Sequence, residues 1–232
     1  MQKKALFLFI LSGVVLLAVI IAGLTSLLSN NSAVPVKGPA STNVSLLRGE
    51  YRQVGNLSDA DPTNQDALPN SVKVASDGIK VLLRTSVVEG YQIYECQVST
   101  TDPSGFAWKV QAPFALLKAD NGANVVHSTD PTWLYTKDGS EVKARVGQYS
   151  NPDGTAVAAS ATPTANAIAW LRLDVTEHRG ANGLFSNVDQ IQRLHTGGGK
   201  APGDGCNQDV ANQHVIRSVA YTAEYVFWGR QP

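Results

Sequence analysis

Apolar and polar residues alternate in short runs along the second half of the chain. Turn pairs such as Asp77-Gly78, Asn121-Gly122 and Asp138-Gly139 separate these runs at intervals of about ten residues. The clearest run lies at 169–176, where Leu171, Leu173 and Val175 alternate with polar residues, which is the period of a β-strand. The pattern predicts an all-β domain, an antiparallel β-sandwich or barrel of about 9–11 strands.

The same alternation places most of the individual strands. They are predicted at 79–86, 91–99, 106–111, 114–119, 133–137, 141–149, 169–176 and 218–228. Residues 150–165 and 196–206 gather Gly, Pro, Ala and Thr, which predicts surface loops. Val188, Ile191 and Leu194 recur every three residues, so 188–194 is compatible with either a short helix or a strand.

A long uncharged segment precedes this region. Lys3 and Lys4 are followed by the 24 residues 5–28, none of which carries a charge. As a helix they would span about 36 Å, enough for a hydrocarbon core of about 30 Å, whereas the apolar part of a cleaved signal peptide has only about 7–15 residues. We predict that 1–28 form one N-terminal transmembrane helix, a signal anchor with its lysines in the cytoplasm. The alternative is a long signal peptide whose cleavage releases a secreted protein.

The composition of the remaining chain divides it in two. Residues 29–69 are rich in Ser, Asn, Asp and Pro, which predicts a flexible extracytoplasmic linker, and 70–232 form the β-rich domain. We therefore expect a single-pass protein of the cell membrane with its C-terminal domain outside. Its 19 basic and 19 acidic residues balance, and the absence of a basic run argues against nucleic acid as a partner.

The chain contains two cysteines, Cys96 and Cys206. Neither belongs to a metal-like cluster, and an exported chain reaches an oxidising compartment, so we predict that they form a disulfide. The alternative is two unrelated buried thiols.

Several sequence motifs follow one another from Leu68 to Trp228. The main ones are Gly90-Tyr91-Gln92-Ile93-Tyr94-Glu95-Cys96, Asp130-Pro131-Thr132-Trp133, Ile191-Gln192-Arg193-Leu194, Thr196-Gly197-Gly198 and Tyr221-Thr222-Ala223-Glu224-Tyr225. In this order they resemble the family catalogued as domain of unknown function 3455, which occurs in exported bacterial and fungal proteins. The resemblance implies one exported domain and no particular chemistry. The chain departs from the family pattern at Ser128-Thr129-Asp130, where a glycine is expected before Pro-Thr-Trp.

His127, Asp130 and Trp133 form the best candidate ligand-binding site. An imidazole, a carboxylate and a flat aromatic ring near one turn can bind a polar ligand or orient a proton. The alternative is that His127 is a hydrogen-bonded structural residue and that Trp133 belongs to the core.

Glu95 and Glu224 are the other catalytic candidates beside His127. Each lies in an aromatic strand, and together they could form a carboxylate pair like that of glycosidases, although arginines such as Arg172 or Arg193 are the more common partners of such groups. The glycine loop Gly197–Gly199 is a weaker candidate, because Lys200 is followed by Ala-Pro and not by the Ser or Thr of a phosphate-binding loop.

These observations favour a non-enzymatic, membrane-tethered binding or envelope-associated module. Its ligand would be a small molecule, a glycan or a surface partner. The alternative is an exported enzyme, a hydrolase that uses His127 with a carboxylate. We expect no cofactor and no metal, since His178, His195 and His214 lack the ligand spacing of a zinc site.

Overall fold

The computed structural model describes residues 64–74, 78–162 and 165–231. All of them belong to one compact unit. The predicted anchor (1–28) and the linker up to residue 63 lie outside the described residues. Within the described ranges, no helix is long and apolar enough to cross a membrane.

The described chain is built almost entirely of β-strands. The strands are β1 (Lys80–Val98), β2 (Phe106–Ala119), β3 (Asn124–Ser128), β4 (Thr132–Tyr135), β5 (Ser140–Val146), β6 (Gln148–Ser150), β7 (Ala156–Ala158), β8 (Ser160–Ala161), β9 (Trp170–Gly180), β10 (Val188–Gly198) and β11 (Ile216–Gly229). One short helix, α1 (Gln208–Asn212), and three 3₁₀ turns (Gln65–Ala67, Asn70–Val72 and Leu184–Asn187) accompany them.

Eight of these strands form a closed antiparallel barrel. They follow one another around it in the order β1-β2-β3-β4-β5-β9-β10-β11, and β11 pairs with β1 to close the ring. Strand β8 pairs with β9 as an additional strand, and β6 and β7 form a separate two-stranded ribbon. The prediction of an antiparallel all-β domain is confirmed, and the fold is the barrel rather than the sandwich.

Residues 188–194 form a strand, so the helical alternative for this segment is wrong. Strand β10 pairs with both β9 and β11. Ile191 packs in the core of the barrel, whereas Leu194 belongs to a cluster on the outer face. Both faces of the strand are covered, and this hides the alternation that would have identified it in the sequence.

Two pairs of predicted strands merge into single long strands. Strand β1 continues through Glu89-Gly90, where its pairing with β11 shifts between Ser86 and Tyr91. Strand β2 likewise continues through Pro113, which is the Cα partner of Gln92. Glu89-Gly90 therefore marks a bulge, whereas Pro113 is regularly paired and lies two residues from a bulge at Gln111, so neither is a connection between strands.

Aromatic side chains close one end of the barrel. Phe185, from the 3₁₀ turn before β10, is fully buried and lies 4.6 Å from the ring of Phe227 and 5.5 Å from that of Tyr135. Its backbone N–H donates to the hydroxyl of Ser140. We call this the plugged end.

The segment before β1 covers the outer face of β10 and β11. Leu68 and Val72 pack there in a cluster with Trp228 and Leu194. The fully buried Gln192 joins the layers, because its amide group donates to Val72 O at 2.6 Å and accepts from Trp228 Nε1 at 2.8 Å. The last residues assigned by sequence to the linker, from Asn64 on, are thus packed against the barrel.

A disulfide fastens the loop between β10 and β11 to strand β1. The sulfur atoms of Cys96 and Cys206 are 2.09 Å apart, as the sequence predicted. The same loop is held by hydrogen bonds from Trp108 Nε1 to Asp204 O (2.8 Å) and from Cys96 N to Val215 O (3.1 Å). The loop is therefore fixed to the part of the β1–β2 hairpin farthest from the plugged end.

Candidate functional site

The barrel contains a cavity of about 320 Å³ on the side away from the plugged end. This is roughly the volume of ten liquid water molecules and lies at the lower end of the range for small-molecule sites. Apolar side chains form most of its wall, among them Ala112, Pro113, Leu171 and Leu173. The polar residues that line it include Gln92, His127, Arg193 and Tyr225.

His127 and Trp133 lie side by side in this wall. They are Cα partners on the neighbouring strands β3 and β4, and the alternation of both strands directs them into the barrel. Their rings stack in parallel, with centroids 4.1 Å apart and planes inclined by 4°. Tyr225 meets both rings edge-on at 5.5 and 5.9 Å. Burial and stacking therefore fix the orientation of His127.

Asp130 lies in the turn between β3 and β4, at the rim of the cavity. Its backbone φ is 63°, in the left-handed region where glycine is most easily accommodated. This is the position before Pro131 where the family pattern led us to expect a glycine. Aspartate is among the residues that tolerate this conformation best, and its exposed carboxylate pairs with Lys143 Nζ at 2.5 Å.

His127 is held in one neutral tautomer. Only 3% of the residue is exposed, and burial lowers its pKa from 6.5 to about 4. Nδ1 lies 2.8 Å from Thr132 O, a carbonyl that can only accept, so Nδ1 carries the proton. Nε2 then presents a lone pair, and no described residue donates a hydrogen bond to it.

Arg193 adds a positive charge to the wall. Its Nε and Nη2 both donate to the carbonyl of Ala169, at 3.1 and 2.9 Å. No carboxylate among the described residues forms an ion pair with it. The guanidinium also acts on the phenol of Tyr94, whose pKa is raised by burial and partly lowered again by this charge.

Two further polar groups near the cavity are buried without a partner. The amide nitrogen of Gln92 and the indole nitrogen of Trp133 have no hydrogen bond within the described part of the chain. Only 6% of Gln92 and 1% of Trp133 is exposed. A buried donor left without an acceptor costs about 1–3 kcal/mol.

The two glutamate candidates lie outside the cavity. Glu95 Oε1 is 2.7 Å from His214 Nδ1, and Glu224 Oε2 is 2.9 Å from His195 Nδ1. Each therefore has a histidine partner of its own, and the structure brings neither close to His127. Among the residues that line the cavity, the only carboxylate is that of Asp130.

The glycine loop has a packing role. Gly199 O accepts a hydrogen bond from Tyr94 OH at 2.7 Å, and a Cβ at this glycine would lie 2.7 Å from Cβ of Tyr221. The loop does not line the cavity.

Sequence reasoning did not identify three of the residues that line this site, namely Gln92, Arg193 and Tyr225. Tyr225 could have been found, because it alternates with Tyr221 and Ala223 on the inward face of β11. Gln92 and Arg193 gave no such signal, since single polar residues in apolar strands are usually outward-facing.

Within the described ranges, no group of three or more His, Cys, Asp or Glu side chains is placed to hold a metal ion. Over the described residues, the fold and the site together define an eight-stranded antiparallel β-barrel whose largely apolar cavity carries several polar side chains. The family model "Protein of unknown function (DUF3455)" matches residues 76–229, and the chain belongs to this family. Searches of curated proteins and of solved structures gave no match.

Proposed function

We propose that this protein is a small-molecule-binding module whose site is the barrel cavity. The observation that carries the proposal is His127, which is buried in the cavity wall with an unpartnered Nε2. The nearby Gln92 amide also lacks a partner. A ligand that donates a hydrogen bond to the ring nitrogen Nε2 of His127 would offset the cost of burying that group.

Binding accounts for the site better than hydrolysis does. A general base of the histidine–carboxylate type needs an acidic group that orients the imidazole. Here the Nδ1–H of His127 is taken by the Thr132 carbonyl, and both candidate glutamates are engaged by other histidines. The ring is therefore positioned as a fixed hydrogen-bond acceptor.

We further propose that the barrel lies outside the cytoplasm and is tethered to the membrane by residues 1–28. The uncharged 24-residue segment behind Lys3 and Lys4 supports this location, as does the disulfide, a bond typical of oxidising compartments. Membrane fractionation with N-terminal sequencing of the native protein is the test. A soluble product that begins after the apolar segment would contradict the tether and leave the binding proposal standing.

Ligand binding can be tested by saturation-transfer NMR with a mixture of neutral and charged fragments on the full chain in detergent. Leu171→Trp places an indole at a half-buried position of the cavity wall. The matched control is Leu134→Trp, at a half-buried position of β4 between the inward-facing Trp133 and Tyr135. We expect fragments that bind the native protein and the control but not Leu171→Trp. No binding at all, or binding that survives in Leu171→Trp, would overturn the proposal.

A further inference from the structure

The charges around the cavity are not balanced. Arg193 lines it without an ion-pair partner among the described residues, and Asp130, the one carboxylate in the lining, is 65% exposed and engaged by Lys143. A half-buried guanidinium is ordinarily paired, because burial of a charge without a counter-charge is costly. The cavity therefore has an uncompensated positive charge, which suits the binding of an anion.

The position of Arg193 is set by the barrel itself. On β10 it is two residues beyond Ile191, which is fully buried in the barrel core, so the period of the strand directs both side chains inward. Two of its nitrogens are anchored on Ala169 O, and no described residue accepts from the third, Nη1. A planar guanidinium held in this way can offer N–H groups to a carboxylate.

The other residues of the wall indicate which kind of anion would fit. Leu171, Leu173, Ala112 and Pro113 are apolar, which disfavours a small, fully hydrated inorganic ion and favours an organic body. His127 Nε2 accepts and cannot donate while the ring is neutral, so it requires a donor on the ligand.

We propose that the ligand is a small organic acid, with its carboxylate on Arg193 and a hydroxyl or N–H group donating to His127 Nε2. This assignment rests on the proposed binding function and names the class of ligand for the same cavity. Gln92, Gln111 and Tyr225 also line the cavity with polar side chains. The apolar side chains surround the body of the acid.

Isothermal titration of the full chain with three aromatic probes measures the contact with Arg193 and the contact with His127 independently. The probes are 4-hydroxybenzoate, its neutral isostere 4-hydroxybenzamide, and benzoate, which lacks the hydroxyl group. We expect the native protein to bind 4-hydroxybenzoate at least about ten-fold more tightly than the amide, the scale of one charge-assisted hydrogen bond. Benzoate should bind more weakly than 4-hydroxybenzoate, and this difference should disappear in His127→Phe.

Substitutions of Arg193 test whether its positive charge causes the preference for the acid. Arg193→Met should abolish the preference for the acid over the amide, and Arg193→Lys should restore part of it. Arg145→Met, which removes an exposed arginine of β5, is the matched control and should keep the native preference. Circular dichroism melts establish that each variant is folded.

The two proposals fail in different ways. Equal binding of acid and amide, or a preference that persists in Arg193→Met, overturns the organic-acid assignment while cavity binding stands. Failure of the native protein to bind any of the three probes also overturns the assignment. Cavity binding as such then stands or falls on the fragment experiment with Leu171→Trp.

Discussion

Replacement of His127 by asparagine should make the protein less sensitive to acid. In the native protein the imidazole is buried and its pKa is about 4, whereas the unfolded chain takes up the same proton near the ordinary value of 6.5. Between these values the unfolded state binds more protons, so the folded state loses stability as the pH falls from 6.5 towards 4. Asparagine does not titrate, and its amide nitrogen can still donate to Thr132 O.

The size of the effect follows from the pKa difference. One pKa unit corresponds to about 1.4 kcal/mol, so His127 should remove about 2 kcal/mol of unfolding free energy between pH 7 and pH 4.5. Burial raises the pKa of Asp138, but hydrogen bonds from Ser140 and Leu184 bring it below its ordinary value, so carboxylates of this kind also make the folded protein less stable in acid. They are the same in both proteins and cancel in the comparison.

Urea denaturation of the full chain in detergent, at a series of pH values, measures the difference. His127→Asn should be less stable than the native protein at pH 7, because it loses the stack on Trp133, and the gap should narrow by about 2 kcal/mol at pH 4.5. Trp133→Phe is the control: it perturbs the same stack but leaves the titrating group, so its gap should stay constant. A gap for His127→Asn that is also constant would refute the buried, neutral histidine.

Substitutions at three further places in the fold test the structure. Joint replacement of Cys96 and Cys206 by alanine removes a link across 110 residues and should cost about 4–5 kcal/mol, measured by calorimetry under oxidising conditions; an unchanged melting temperature would contradict it. Asp130→Ala should cost about 1 kcal/mol in urea denaturation, whereas Asp130→Gly should cost almost nothing, because only glycine adopts φ 63° freely; equal costs would contradict the backbone argument. Gln192→Leu should lower the free energy of unfolding by about 1–3 kcal/mol, since Trp228 Nε1 loses its buried acceptor. An unchanged free energy of unfolding would show that water reaches this nitrogen beneath the outer layer.

The sequence was informative wherever one face of a strand is buried and the other is wet. Leu171, Leu173 and Val175 alternate with polar residues in β9 and pack in or against the barrel core, as predicted. The pattern failed in β10. Here the charged Arg193 faces the interior of the barrel, and the polar Gln192 on the outer face is buried instead of exposed to solvent. Both residues are explained by tertiary neighbours, the cavity and the segment before β1, which a local pattern cannot reveal.

The candidate site was partly predictable for a related reason. His127 and Trp133 are only six positions apart in sequence and meet across one tight turn, so their proximity can be inferred locally. Arg193 and Gln92 are brought to the same cavity by the closure of the barrel through β11, which pairs with both β10 and β1. A contact that depends on ring closure has no signature in the spacing of residues along the chain.

The first and the last strand of the barrel begin and finish at the plugged end. Lys80, the first residue of β1, is the Cα partner of Gly229, the last residue of β11, and Val188 beside the Phe185 plug pairs with the same glycine. The polypeptide thus enters and leaves the barrel on the side opposite the cavity. A fluorescent reporter or a surface linker attached directly after Gly229 should therefore leave the cavity accessible.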